Sequence, residues 1–124
     1  MVTSVTNFSR SGMSDWLLQR VSAVLLAVYT IALGGYIVCT GSDLTYEAWA
    51  ALMGSVPMKV INTLVVASIA GHAWVGLWTV TTDYLTRMAF GNAATCVRLV
   101  GQTVLALLLA AYSLWALWMI WGAA

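Results

Sequence analysis

A membrane protein of three transmembrane α-helices is the fold class this sequence predicts, and three observations predict it. Of 124 residues, 62% are hydrophobic and 7% charged, against about 25% charged in soluble domains. The charges fall at Arg10, Asp15, Arg20, Asp43, Glu47, Lys59, Asp83, Arg87 and Arg98, leaving uncharged intervals at 21–42, 60–82 and 99–124. Each interval exceeds the ~20 residues that a helix rising about 1.5 Å per residue needs to cross roughly 30 Å of hydrocarbon. Finally, these runs of Leu, Ala and Val lack the alternation of a membrane barrel, and only helices or closed barrels satisfy their own backbone in lipid. The all-α reading is three spans at about 16–40, 57–82 and 98–122, in one transmembrane anchor domain covering 1–124.

Ahead of the first span, "MVTSVTNFSRSGMSD" (1–15) is polar and lacks an apolar core followed by a small-residue cleavage site. It reads as a tail rather than a signal peptide. After the first span, "DLTYEAWAALMGSVPMK" (43–59) has a cap at Thr45, an acid at Glu47, and Trp49, Leu52 and Met53 at helical spacing. That pattern predicts a short outer interfacial helix at about 45–54. Ser55 as cap and Pro57 in the first turn then open the second span. Between the second and third spans, "DYLTRMAFGNAATCVR" reads as a connection turning at Gly91-Asn92. Trp115, Trp118 and Trp121 end the third span as an interfacial aromatic belt.

Arg10, Arg20, Arg87 and Arg98 lie on one side of this three-span arrangement and only Lys59 on the other. Positive charge stays inside, so the N-terminus is expected in the cytoplasm and the C-terminus outside. Cys39 and Cys96 then fall near opposite ends, too far apart to pair, and neither belongs to an iron–sulfur or zinc pattern.

The chain has one histidine, His72, in "IAGHAWVGLWTVTTDYL" (69–85). With Ser68 at zero and about 100° per residue, His72, Gly76, Thr79 and Asp83 fall at roughly 40°, 80°, 20° and 60°. Trp74 and Trp78, at roughly 240° and 280°, form a bulky back expected to pack against lipid or a partner. The small, polar front is expected to meet something other than lipid. Three roles for His72 stay open: a neutral imidazole bonded to a neighbouring helix, a haem ligand with Gly76 making room for a flat macrocycle, or a proton relay with Asp83. The last suffers from roughly 16 Å of helix between the two groups. A haem ligand would require a second ligand from elsewhere, and hence an assembly.

"HAWVGLWTVTTDY", a His followed after ten residues by Asp-Tyr, resembles the second transmembrane helix of the small hydrophobic membrane-anchor subunit of bacterial succinate dehydrogenase, respiratory complex II. "SGMSDWLLQRVSAVLL", "LTYEAW" and the Trp-rich third span are similar to the same family. The resemblance implies a non-catalytic subunit of an oxidoreductase of the tricarboxylic acid cycle in the bacterial inner membrane. Its implied partners are a second hydrophobic anchor of the cytochrome b556 type, an iron–sulfur subunit and a flavoprotein, the last two carrying the clusters and FAD. It also implies a haem b shared between the anchors, with His72 as one axial ligand, and ubiquinone bound on the cytoplasmic side with Tyr84 donating to its carbonyl. Asp83 would orient that site and Arg20 would hold a haem propionate. On residues alone, Tyr84 reads as an interfacial anchor, Asp83 as a solvated helix end and Arg20 as a snorkelling cation. Ser14 stands where some relatives carry a His. The other classes open are an anchor of another quinone-linked dehydrogenase, such as fumarate reductase, and a small structural or transport protein.

Overall fold

The computed structural model describes residues 12–122, which form α1 (Gly12–Thr40), α2 (Tyr46–Gly54), α3 (Val56–Tyr84), α4 (Arg87–Phe90) and α5 (Ala94–Gly122). Single 3-10 turns lie at Gly41–Asp43 and Gly91–Ala93, and no strand occurs among the described residues. The helices α1, α3 and α5 have 29 residues each, about 43 Å of helix. Three stretches built on them are long and apolar enough to span a membrane. The expected fold class is therefore what the chain adopts.

The boundaries differ from the sequence reading in instructive ways. α1 starts at Gly12, which draws residues 12–15 out of the expected tail and puts Asp15 in the first turn, where the helix dipole favours an acid. The rest of that tail, with Arg10, lies outside the described residues. α3 runs through Asp83 to Tyr84, and the connection beyond it is mostly helical, with α4 as an extra turn. Continuing the helix satisfies backbone groups that a loose loop would leave unpaired at a membrane edge. Gly91, at φ +60°, ends that turn in a conformation that suits glycine, as Gly41 at +55° does beyond α1.

The capping residues act as expected at one end of α2 and differently at the other. Thr45 accepts a hydrogen bond from the Ala48 amide at 3.1 Å, the usual N-cap contact. Ser55 has N-cap backbone geometry, and its carbonyl accepts from Lys59 N at 2.9 Å, but its hydroxyl turns back and donates to Leu52 O at 2.7 Å. Ser55 thus ties off α2 while its backbone starts α3. The apolar side of α2 rests on the bundle: Leu52 lines a groove with Tyr29, Leu33 and Met58. Met53 Sδ accepts from Asn62 Nδ2 at 3.4 Å, while Asn62 Oδ1 accepts from Tyr29 Oη at 2.6 Å.

α3 is the central helix, with α1 on one side and α5 on the other. Its contacts to α1 include His72 and Gly76, and its hydrogen bonds to α5 come from Thr63 and Thr81, about half a turn away on the helical wheel. His72 and Gly76 of the expected front of α3 therefore meet their own chain, while Thr79 and Asp83 are exposed. The bulky back also meets its own chain: Trp74 packs beside Ala106 and Ala110, and Trp78 beside Leu99 and Gln102. The Trp pair lines the α3–α5 seam instead of facing only lipid or a partner, with Trp74 opposite the small side chains of Ala106 and Ala110.

Three helices in a row bury little. Among the described residues only Val65, Val75 and Ala94 are buried apolar side chains, while Val24, Val28, Ile31, Leu107 and Leu114 are each more than 60% exposed. So broad an apolar surface is stable against lipid or other subunits rather than water.

Candidate functional site

His72 sits near the middle of α3, half-buried in the seam with α1. Its Nδ1 lies 3.0 Å from the Ser22 hydroxyl of α1, and Ser22 is 2% exposed. That hydroxyl also donates to the carbonyl of Gln19, one turn earlier, at 3.2 Å. Nε2 has no hydrogen-bond partner among the described residues, so one ring nitrogen is held and the other is open.

Two glycines of α3 face α1 at this seam. A Cβ on Gly71 would lie 3.6 Å from the Leu18 methyls, and one on Gly76 would lie 3.3 Å from Gln19 Nε2. Beside Gly76, where the sequence offers room to a flat macrocycle, lies the flexible end of Gln19. Oε1 of the same side chain is buried without a hydrogen-bond partner, a polar atom whose isolation in an apolar setting costs about 1–3 kcal/mol.

The other candidates stand apart from His72. Arg20 is exposed, its guanidinium 5.4 Å from the Trp16 ring centroid. Two residues from Ser22, it projects about 160° around α1 from the side that meets His72. Asp83 and Tyr84 close α3, both exposed, Tyr84 at 71%. Tyr84 lies about 18 Å of helix from His72. Gln102 Nε2 reaches Thr81 Oγ1 at 2.9 Å and braces the turn before Asp83 against α5. At the opposite end, Lys59 Nζ lies 5.6 Å from the Trp121 ring centroid, and Trp121 Nε1 donates to Thr63 at 2.9 Å. The expected aromatic belt therefore has one member stitched to α3, while Trp115 and Trp118 are exposed.

Sequence reading passed over Ser22 and Gln19. Their signal was present: two polar side chains three residues apart in "LLQRVSAVLL" share a helix face, but the charge of Arg20 between them is the more conspicuous feature. No cluster of three or more His, Cys, Asp or Glu exists among the described residues. Cys39 and Cys96 are exposed free thiols.

The succinate dehydrogenase/fumarate reductase transmembrane subunit family matches residues 3–115. The chain belongs to that family. It is also 33% identical over 117 residues to the succinate dehydrogenase hydrophobic membrane anchor subunit of Coxiella burnetii, covering 94% of this chain and 95% of that one. The three long helices are therefore those of a multi-pass membrane anchor subunit. An anchor subunit belongs to a larger complex, which accounts for helices with so few buried side chains.

Proposed function

We propose that this anchor serves a succinate:ubiquinone oxidoreductase, supplying one axial ligand of a haem b through His72 Nε2 and part of the ubiquinone pocket through Tyr84. The observation that carries the haem reading is the Ser22 contact. It engages Nδ1 and leaves Nε2 open on the chain's single histidine, the arrangement in which metal-bound imidazoles are found. This donor set fits a haem shared with another subunit, because one imidazole fills one axial position. When bound, the haem supplies a one-electron store near the quinone. The roughly 16 Å of helix between His72 and Asp83 weighs against the proton-relay reading.

Tyr84 lies exposed at the end of α3, which supports this role. Its exposed phenol can donate a hydrogen bond to a quinone carbonyl and strengthen that bond as charge builds on oxygen during reduction, without carrying a full charge in lipid. Asp83, adjacent and exposed, orients the pocket by pairing with a basic group. The role of Arg20 at a haem propionate rests on the family resemblance, since its observed pose is over Trp16. With Arg20 and Arg98 at the Tyr84 end and Lys59 at the other, the positive-inside rule puts Tyr84 at the cytoplasmic face of a bacterial inner membrane. There an iron–sulfur subunit carrying electrons from a flavoprotein, and a second anchor, would complete the pocket. The name of the Coxiella relative favours succinate oxidation over fumarate reduction.

The test is a dithionite-reduced minus oxidised spectrum of the native complex, purified through a tag on this chain. A b-type signal is expected. A flat spectrum from an intact flavin-containing complex would remove the haem and leave the Tyr84 assignment standing; a flat spectrum with no flavoprotein attached would remove both.

A further inference from the structure

Resting on the assignment of His72 as an iron ligand, we propose that Ser22 is its positioning residue: the hydroxyl fixes the imidazole with its proton on Nδ1 and sets the donor strength of Nε2. Three hydroxyls in this fold bridge helices by one device. Thr63 donates to Lys59 O at 2.8 Å and meets Trp121 Nε1 at 2.9 Å. Thr81 donates to Trp78 O at 2.7 Å and meets Gln102 Nε2 at 2.9 Å. An indole or amide N–H can only donate, so both hydroxyls give their single proton to their own helix and a lone pair to the neighbour.

Ser22 has the same construction, with Gln19 O at 3.2 Å on its own helix and His72 Nδ1 at 3.0 Å across the seam. In the proposed arrangement the Ser22 proton goes to that carbonyl, as the protons of Thr63 and Thr81 go to theirs, and Oγ accepts Nδ1–H. A neutral imidazole has one such proton, and placing it on Nδ1 leaves the lone pair on Nε2, where iron binds. The reverse arrangement forfeits the Gln19 bond and blocks Nε2 with a proton. Ser22 is almost wholly buried in the contact between α1 and α3, so the ring is held in orientation as well as tautomer.

A hydrogen bond from Nδ1–H raises the basicity of the ligating nitrogen. A more basic ligand favours ferric over ferrous iron, so Ser22 holds the haem potential down. The Gln19 carbonyl polarises the Ser22 hydroxyl and strengthens that effect.

The experiment uses the complex purified through a tag on this chain, with redox titration of the reduced-minus-oxidised signal and low-temperature EPR of the oxidised haem. Ser22→Ala is expected to raise the midpoint potential and shift the low-spin EPR signal, with Ser22→Thr returning both to wild-type values. An unchanged potential and EPR signal in Ser22→Ala, with His72→Ala devoid of haem, would overturn the role of Ser22 alone. A full b-type signal in His72→Ala would overturn the ligand assignment itself. If Ser22→Ala fails to assemble, Ser22→Thr and Ser22→Val decide, being alike in shape and differing by the hydroxyl. Matching potentials in that pair overturn the proposal, and a raised potential only in Val supports it.

Discussion

The two seams of α3 are built with the same hydroxyl device and differ in what they leave over. Against α5, Thr63 and Thr81 each bind a side chain whose N–H only donates, and Trp74 and Trp78, with centroids 5.6 Å apart, line the seam. Against α1, the neighbour of Ser22 is an imidazole, whose second nitrogen has no partner among the described residues, and Gln19 buries an unpartnered amide oxygen. The hydroxyl bridges of one seam are finished within the chain, and the bridge of the other leaves an imidazole nitrogen open. In an apolar environment unpartnered polar atoms are costly, so the open seam is the one to expect at a functional contact with something outside the chain.

The largest expected effect breaks the open seam. His72→Ala should abolish the b-type signal, reading out as loss of the reduced-minus-oxidised spectrum in a purified complex that retains flavin. Next comes Tyr84→Phe, outside both seams, which removes one hydroxyl from an exposed side chain and leaves the packing intact. Quinone reduction should fall about 100- to 1,000-fold, the range for losing one preorganised donor, while succinate oxidation by a dye that takes electrons upstream stays near wild type. Equal losses in the two assays would mean that Tyr84 acts through assembly.

Why the open seam escaped sequence reading is a matter of scale. The three spans were legible because hydropathy integrates over more than 20 residues, and Thr45 because a cap is a local rule. His72 was conspicuous by its rarity. Its partner was not, because a Ser in an apolar helix looks like any small residue until the partner helix fixes which of its sides is buried. The neighbour of Gly76 escaped for the same reason: the vacancy of a missing side chain shows in the sequence, and what lies against it depends on tertiary packing. The helical turn after Tyr84 was missed because Gly91-Asn92 marks only where the connection ends.

Gly76→Leu tests how closely the open seam must pack. A Cβ there would already stand 3.3 Å from Gln19 Nε2; the flexible amide can retreat from a methyl, but a branched side chain would push α1 outward. Overpacking of this kind costs about 1–3 kcal/mol. Lower thermal stability of the detergent-solubilised complex should accompany weaker haem retention, because the displaced helix carries Ser22. Full stability with normal haem content would show that α1 need not approach α3 so closely.

The smallest effect belongs to Thr81→Val, and it sharpens the comparison most. The substitution keeps the shape of a side chain that is 9% exposed and removes the acceptor for Gln102 Nε2. Hydrogen bonds between membrane helices average about 0.6 kcal/mol and reach about 1.7, so a fall of only a few degrees in the melting temperature is expected. The haem midpoint potential should not move, because Thr81 serves the seam that contains no imidazole. Ser22→Val removes the same kind of group from the other seam and should move the potential. If Thr81→Val shifts it as far as Ser22→Val does, the potential is responding to helix packing in general, and the distinction between a finished seam and an open one fails. If it responds to Ser22 alone, the same hydroxyl device is a brace on one side of α3 and a control on ligand chemistry on the other.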